Sequence, residues 1–285
     1  MLVAMTMVKE FYKLEGLGND FLVAFCAELF EPGPDSIRRL LDRRLGIGAD
    51  GLILAVPTGA SSLRMALYNS DGTRAEMSGN GIRCLGHAVY AAKVAPLGPL
   101  EITTDAGLRL LSAKDGEPSG GMLIEAEMGK VAYVGTPFAR KASFGGRHWR
   151  GTELEVGNPH LVFLPEEGSL SASGLAELPI EVLGPELEAG YPAGTNVEWV
   201  ELDSPALARL RVWERGAGVT LACGTGSTAS AFLLLDQGLA QGEVEVRNPG
   251  GTLWARRGDA GEMHLRGPST LIATLTVADS FGLAG

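Results

Sequence analysis

An α+β fold of two pseudo-symmetric domains, each a strand-rich, barrel-like sheet wrapped around a central helix, is what this sequence predicts. Three observations carry the prediction. The first is an internal repeat. LRMALYNSDGTRAEMSGNGIRCLGHAVYAA and ARLRVWERGAGVTLACGTGSTASAFLLLDQ share one plan of strand, glycine-containing turn, short extended piece, small polar residue plus glycine, and helix. Asn69 precedes Ser78 by the same nine positions that separate Glu214 from Cys223 (78 − 69 = 223 − 214). The second is that the helix in each copy is apolar or small all round, through Ile82, Leu85, Val89 and Ala92 in one and Ala229, Ala231, Phe232, Leu233 and Leu235 in the other. Such a helix is buried on every side. The third is a succession of short apolar runs with glycine punctuation and no regular βαβ alternation.

The elements follow in order. Strands are expected at 21–25, 51–56, 63–69, 100–105, 122–128, 160–164, 196–202, 208–214, 242–248 and 269–277, from β-branched and aromatic runs bounded by Gly, Asp or Asn. Helices are expected over 36–46, from Ser78 to about Lys93, and from Cys223 to about Gln237. The domains are set at 1–124 and 125–271, with the last strand, 272–285, returning to the first. A duplicated unit of this sort implies a pseudo-twofold axis, with the two helix N-termini facing one cleft.

Composition bounds the function. A chain of 285 residues, 45% hydrophobic, buries a sizeable core. Against 34 acidic residues there are 24 basic ones, net −10, with no basic cluster, which argues against a nucleic-acid partner. Three widely spaced cysteines, Cys26, Cys84 and Cys223, form no C-x-x-C pair, and this points to a reducing, cytoplasmic setting. The four histidines lack metal-site spacing on a helix, so no metal is expected. The opening MLVAMTMVKEF has neither the basic start nor the cleavage site of a secretory signal, and no apolar run is long enough to span a membrane.

The chemistry concentrates at the two helix N-termini. First-turn N–H groups and the positive end of the dipole hold a carboxylate or phosphate, and the same field lowers a cysteine from about 8.5 toward neutrality. Cys223, beside Gly224, Thr225 and Gly226, is therefore expected as a thiolate, a base or nucleophile. The other mouth carries Ser78 before Gly79 and Asn80. Other motifs fail on residues: Glu76 occupies the first glycine of a nucleophile elbow, and CGTGS lacks the lysine of a phosphate loop. The loops GLGND and GIGADG stand evenly between tight turns and substrate loops.

KLEGLGNDFLV, RRLGIGADGLIL, YNSDGTRAEMSGNGIRC, GNPH, GTNVEWV and ERGAGVTLACGTG, in this order and over nearly the whole chain, resemble diaminopimelate epimerase. The resemblance implies a cofactor-independent epimerase, in the fold group of proline racemase and the PhzF-like isomerases, that interconverts LL- and meso-diaminopimelate with two cysteines across one α-carbon. It places Asn19, Gly79, Asn80, Gly224 and Thr225 at the reacting end of the substrate. Asn69, Asn158, Asn196, Glu214 and Arg215 fall at the distal end, where Arg215 forks onto a carboxylate and Glu214 accepts from an ammonium. A turn-forming role competes for each asparagine. His160 is read as a hydrogen-bonded structural residue, and Cys26 and Cys84 as structural.

The chain departs from the family's pattern at Ser78, where the family has cysteine, and at Val219, where an acidic residue is usual. A serine is a poor base without a neighbouring base to activate it. Three accounts of Ser78 stay open: an engineered change, a natural substitution in a weak or repurposed epimerase, or one-base chemistry such as an isomerase or dehydratase acting on another amino acid. A non-catalytic amino-acid-binding relative is the contrasting class. The expected partner is a small amino-acid substrate, with a homodimer left open.

Overall fold

The computed structural model describes residues 7–144, 147–166 and 174–283. Residues 1–6, which carry most of the apolar opening, lie outside the described set. The chain divides into two compact units, one running up to Ala126 and resuming at Gly267, the other Glu127–Arg266.

The first unit contains β1 (Glu10–Gly16), β2 (Asn19–Phe25), α1 (Pro34–Leu41), β3 (Gly51–Pro57), β4 (Ser62–Asn69), β5 (Arg74–Ala75), α2 (Gly79–Ala91), β6 (Leu100–Thr104), β7 (Gly107–Gly116) and most of β8 (Gly121–Gly129). The second contains β9 (Ala132–Tyr133), β10 (Arg140–Phe144), β11 (Arg147–Glu155), β12 (Pro159–Pro165), α3 (Ile180–Glu188), β13 (Asn196–Ser204), β14 (Leu207–Glu214), β15 (Gly218–Val219), α4 (Gly224–Asp236), β16 (Glu243–Asn248) and β17 (Gly251–Arg257). The long β18 (Met263–Thr276) begins in the second unit and ends in the first.

In the first unit the pairing runs β1, β2, β3, β4, β6, β7, β8, β18 and returns to β1, a closed barrel of eight strands. Two neighbours are parallel, β2 with β3 and β4 with β6. Parallel neighbours need a crossover. Here α1 makes the first and α2 the second. The second unit repeats the plan: β12 runs parallel to β13 after α3, and β14 parallel to β16 after α4. β5 and β15 form the same short hairpin extension on β4 and β14.

The two crossovers in each unit occupy different places, and their sequences say why. α1 is amphipathic: Ile37, Leu40 and Leu41 are buried, whereas Ser36, Arg38 and Arg39 are exposed. Its buried stripe packs on Leu22, Ala24, Leu52 and Leu54, one face of β2 and β3. Burying each such side chain is worth about 1.5–3 kcal/mol. α2, buried from Gly79 to Tyr90, packs against β1, β2, β3 and β7, and α4, buried from Gly224 to Leu234, against β12, β13, β16 and β17. With helices on both faces, β2, β3 and β12 are buried in five successive residues each, which is why they read as continuous apolar runs.

The helix expected over 36–46 stops at Leu41. Asp42 is extended, and its carboxylate accepts the N–H groups of Arg44 (2.7 Å) and Leu45 (2.6 Å). A local side-chain turn thus competes successfully with the helical ladder. α3 and the strands β1, β7, β11 and β17 were not anticipated from the sequence. Among the described residues no helix is long and apolar enough to cross a membrane.

Candidate active site

Each mouth is an N-cap with its side chain turned onto the first turn. Ser78 is extended (φ −135°, ψ 128°), and its Oγ accepts from the backbone N–H of Gly81 at 3.1 Å. Cys223 has the same conformation (φ −119°, ψ 117°), and its Sγ accepts from Gly226 N–H at 3.3 Å. A serine cap of this kind stabilises a helix by about 1 kcal/mol. The two caps match in geometry and differ in atom.

In the first unit a polar chain runs beneath the mouth. Arg83, wholly buried, donates to the Gly79 carbonyl (2.7 Å) and to Asn80 Oδ1 (2.8 Å). Asn80 Nδ2 donates to Asn19 Oδ1 (3.3 Å), and Asn19 Nδ2 to Asp50 Oδ2 (2.7 Å). The two G-x-G loops meet here: Asp20 N–H donates to Asp50 and Asp50 N–H to Asp20, both at 3.1 Å, with Arg43 bonded to each carboxylate. Both loops therefore brace the start of the parallel β2–β3 pair. Burial lowers the Arg83 pKa to about 10. Asn69 sits exposed at the end of β4, where its amide donates to Thr73 Oγ1 at 3.1 Å across a turn.

In the second unit the residues beneath the mouth are acidic. Glu214 accepts from Thr220 Oγ1 at 2.5 Å and lies within hydrogen-bonding reach of the Cys223 thiol. Burial pushes its carboxyl up to about 7, with the Glu198 charge adding to the rise. Glu198, on β13 and wholly buried, has Oε1 at 2.7 Å from His160 Nδ1. His160 Nε2 is 2.9 Å from Asn158 Oδ1, Asn158 Nδ2 reaches Thr225 Oγ1 at 3.4 Å, and that hydroxyl is 3.5 Å from Cys223 Sγ. A Cβ on Gly226 would stand 2.4 Å from Glu198 Oε1, so only glycine lets this carboxylate lie against the first turn of α4.

The surroundings of Cys223 work against the lowering that a helix N-terminus alone would give its thiol. Burial, then the charges of Glu214 and Glu198, hold the Cys223 thiol well above its ordinary value, and the Thr225 and Gly226 hydrogen bonds recover only part of this. The helix dipole is outweighed because desolvation disfavours any charged form and two carboxylates repel a third anion.

The structure brings Cys223, Gly224, Thr225, Asn158, Glu214 and His160 together, and separately Ser78, Gly79, Asn80 and Asn19. Glu214 lies beside Cys223. Asn196 is committed to backbone: its Nδ2 donates to the Pro159 carbonyl (2.8 Å), and its Oδ1 accepts Arg215 N–H (3.0 Å). The Arg215 guanidinium reaches the Ala193 carbonyl at 3.5 Å. Val219 is exposed on β15. The sequence reading missed Glu198 and Arg83. A signal existed for Arg83, the lone charge inside the otherwise apolar or small GNGIRCLGHAVYA, whereas Glu198 shares the buried stretch of β13 with Glu201. Among the described residues no group of three or more His, Cys, Asp or Glu is placed to hold a metal ion.

The family model described as diaminopimelate epimerase matches residues 11–134 and 153–272. A diaminopimelate epimerase of Moorella thermoacetica is 38% identical over 85% of this chain and 89% of its own length, and one of Desulforudis audaxviator 39% identical over 91% and 96%. Among solved structures, a PhzF-family phenazine biosynthesis protein of Bacillus anthracis superposes with a TM-score of 0.72 at 14% identity, covering 95% of this chain and 99% of its own. A hydroxyproline epimerase of Agrobacterium vitis does so with a TM-score of 0.72 at 14% identity, covering 96% and 92%. These two likenesses are of fold.

Proposed function

The chain belongs to the diaminopimelate epimerase family, and from this premise we propose that it epimerises the α-carbon of diaminopimelate, LL to meso, by proton abstraction and reprotonation without a cofactor. The observation that carries the reading is Cys223 at the cap of a buried helix, with a carboxyl held near neutrality in hydrogen-bonding reach of its thiol.

An α-proton removed without an electron sink leaves negative charge on the substrate carboxylate, and catalysis depends on stabilising that charge. The reading assigns this to the first-turn N–H groups at Gly79 and Asn80 and at Gly224 and Thr225. Cys223 rests as a thiol, so it is the ready proton donor. To act as base it must first lose its proton, and Glu214, near 7, is matched to accept it at neutral pH. Arg215, Asn69, Asn158 and Asn196 are assigned to the distal end, and Asn19 to the reacting end beside Asn80. Inversion calls for an acceptor and a donor on opposite faces of one carbon, and Ser78 is the weak member of the pair.

Ser78 also favours a second reading, in which Cys223 alone transfers a proton and the substrate eliminates or isomerises. Incubation with LL-diaminopimelate in heavy water separates the two. The expected result is slow appearance of the meso isomer with deuterium at the α-carbon. An unsaturated product would favour one-base chemistry, and binding without any exchange would leave only an amino-acid-binding protein.

A further inference from the structure

We propose that Arg83 and Asp50 are positioning residues that together fix which way the amides of Asn19 and Asn80 face at the α2 mouth, and with that what the mouth presents to a substrate carboxylate. The oxygen and nitrogen of an asparagine amide are alike in size, so packing does not orient the group, whereas its hydrogen-bond partners do. Three links join the four side chains: Arg83 Nη2 donates to Asn80 Oδ1 (2.8 Å), Asn80 Nδ2 to Asn19 Oδ1 (3.3 Å), and Asn19 Nδ2 to Asp50 Oδ2 (2.7 Å). A guanidinium only donates and a carboxylate only accepts. Asn80 therefore turns its oxygen to Arg83, which leaves its nitrogen for Asn19. Asn19 in turn gives its oxygen to Asn80 and its nitrogen to Asp50. With a donor at one end and an acceptor at the other, neither amide turns over without setting two donors or two acceptors face to face.

Both ends of the chain are held by other groups. Arg83 donates through Nη1 to the carbonyl of Gly79, the first residue of α2, at 2.7 Å. Asp50 Oδ2 also takes the Asp20 N–H (3.1 Å), and its Oδ1 takes the Arg43 guanidinium (2.7 Å), so both oxygens are committed as acceptors. Packing gives no reason for Arg83. It is wholly buried, its Nε has no partner, and a cation in the early turns of a helix lies toward the positive end of the dipole. An apolar side chain would fill the place at less cost. What the guanidinium contributes is a donor that never becomes an acceptor. Removing the α-proton drives negative charge onto the substrate carboxylate, and an amide that set its oxygen where an N–H belongs would repel that charge.

The inference rests on the proposed function for the identity of the carboxylate, whereas the amide orientations are read without any substrate. Neutron diffraction tells the amide nitrogen from its oxygen. In the unmodified chain it should show the Asn19 nitrogen at Asp50 and the Asn80 nitrogen at Asn19, and either amide turned over would overturn the proposal. In Asp50→Asn the acceptor end is lost, so Asn19 should be found turned over or in both orientations. Titration of that variant with LL-diaminopimelate should show affinity about tenfold weaker, the worth of one hydrogen bond to a charged group. Arg83→Met should weaken binding alike, while Arg83→Lys, still a donor without an acceptor, should regain most of it. A role in packing alone would favour methionine over lysine. Unchanged amide orientations in Asp50→Asn, or equal affinities in the two Arg83 variants, would sink the idea. If Asp50→Asn fails to fold, the map of the unmodified chain and the Arg83 pair decide. An unmodified chain that binds no diaminopimelate removes the proposed function and leaves the amide orientations to decide this inference.

Discussion

The mouths of α2 and α4 share a backbone and differ in charge. Each is an extended cap residue bonded back to the third residue of its helix, at 3.1 Å from oxygen and 3.3 Å from sulfur. Beneath Ser78 lies a buried guanidinium, Arg83, and beneath Cys223 lie two carboxylates, Glu198 and Glu214. The same local fold therefore sits in opposite fields. At Cys223 burial, and then the carboxylates packed under the helix, push the thiol up against the pull of the helix N-terminus.

The largest way to sharpen this comparison is to equalise the cap atoms. Ser78→Cys should raise LL-to-meso conversion by about 10² to 10⁴, the worth of one positioned acid or base. The new thiol would also sit over a buried cation rather than over carboxylates. Conversion rates of the two forms, with deuterium followed from each isomer separately, provide the check. Equal rates would mean that the α2 mouth has no part in the chemistry.

Next in size is the removal of the acidic field. Glu214 has its folded pKa raised from 4.5 to about 7. Protonation is thus favoured in the folded state, and the associated stability is fully present below about pH 4.5 and lost as pH rises through 7. At 1.36 kcal/mol per pKa unit this is on the order of 3 kcal/mol. In Glu214→Gln that pH dependence should be absent, so urea unfolding at pH 5 and pH 7.5 should show the variant gaining on the unmodified chain at the higher pH. A parallel pH dependence in both forms would remove Glu214 from the mouth's electrostatics.

The smallest expected effect concerns reactivity. Cys223 is 4% exposed, with its thiol held up by burial and neighbouring carboxylates, while Cys26 is only half-buried. Limited iodoacetamide at pH 7 should label Cys26 several-fold faster than Cys223 and leave Cys84, pushed up to about 12 by burial, untouched. Mass spectrometry of the labelled peptides reads the order. Cys223 labelling first would restore the thiolate that the glycine-rich mouth alone suggests.

What the sequence by itself determined is whatever depends on local pattern. The repeat, the all-apolar helices after Ser78 and Cys223, and the runs that became β2, β3, β12 and β13 were legible because both faces of those elements are buried, so almost every residue must be apolar or small. β11 and β17 were hidden, since their buried residues alternate with Arg, Glu and Thr on partly exposed positions and leave no run to detect. α3 was hidden because it is short and contains Pro185. Only the tertiary structure decided the charge under the Cys223 mouth, whereas Arg83 sits in the same helix as the mouth it underlies. Glu198 and His160 come from β13 and β12, strands far from Cys223 in sequence, and meet its helix because the sheet wraps around it. Desolvation and the nearness of like charges fix a thiol's pKa, and both are properties of the packed interior that no single stretch of sequence contains.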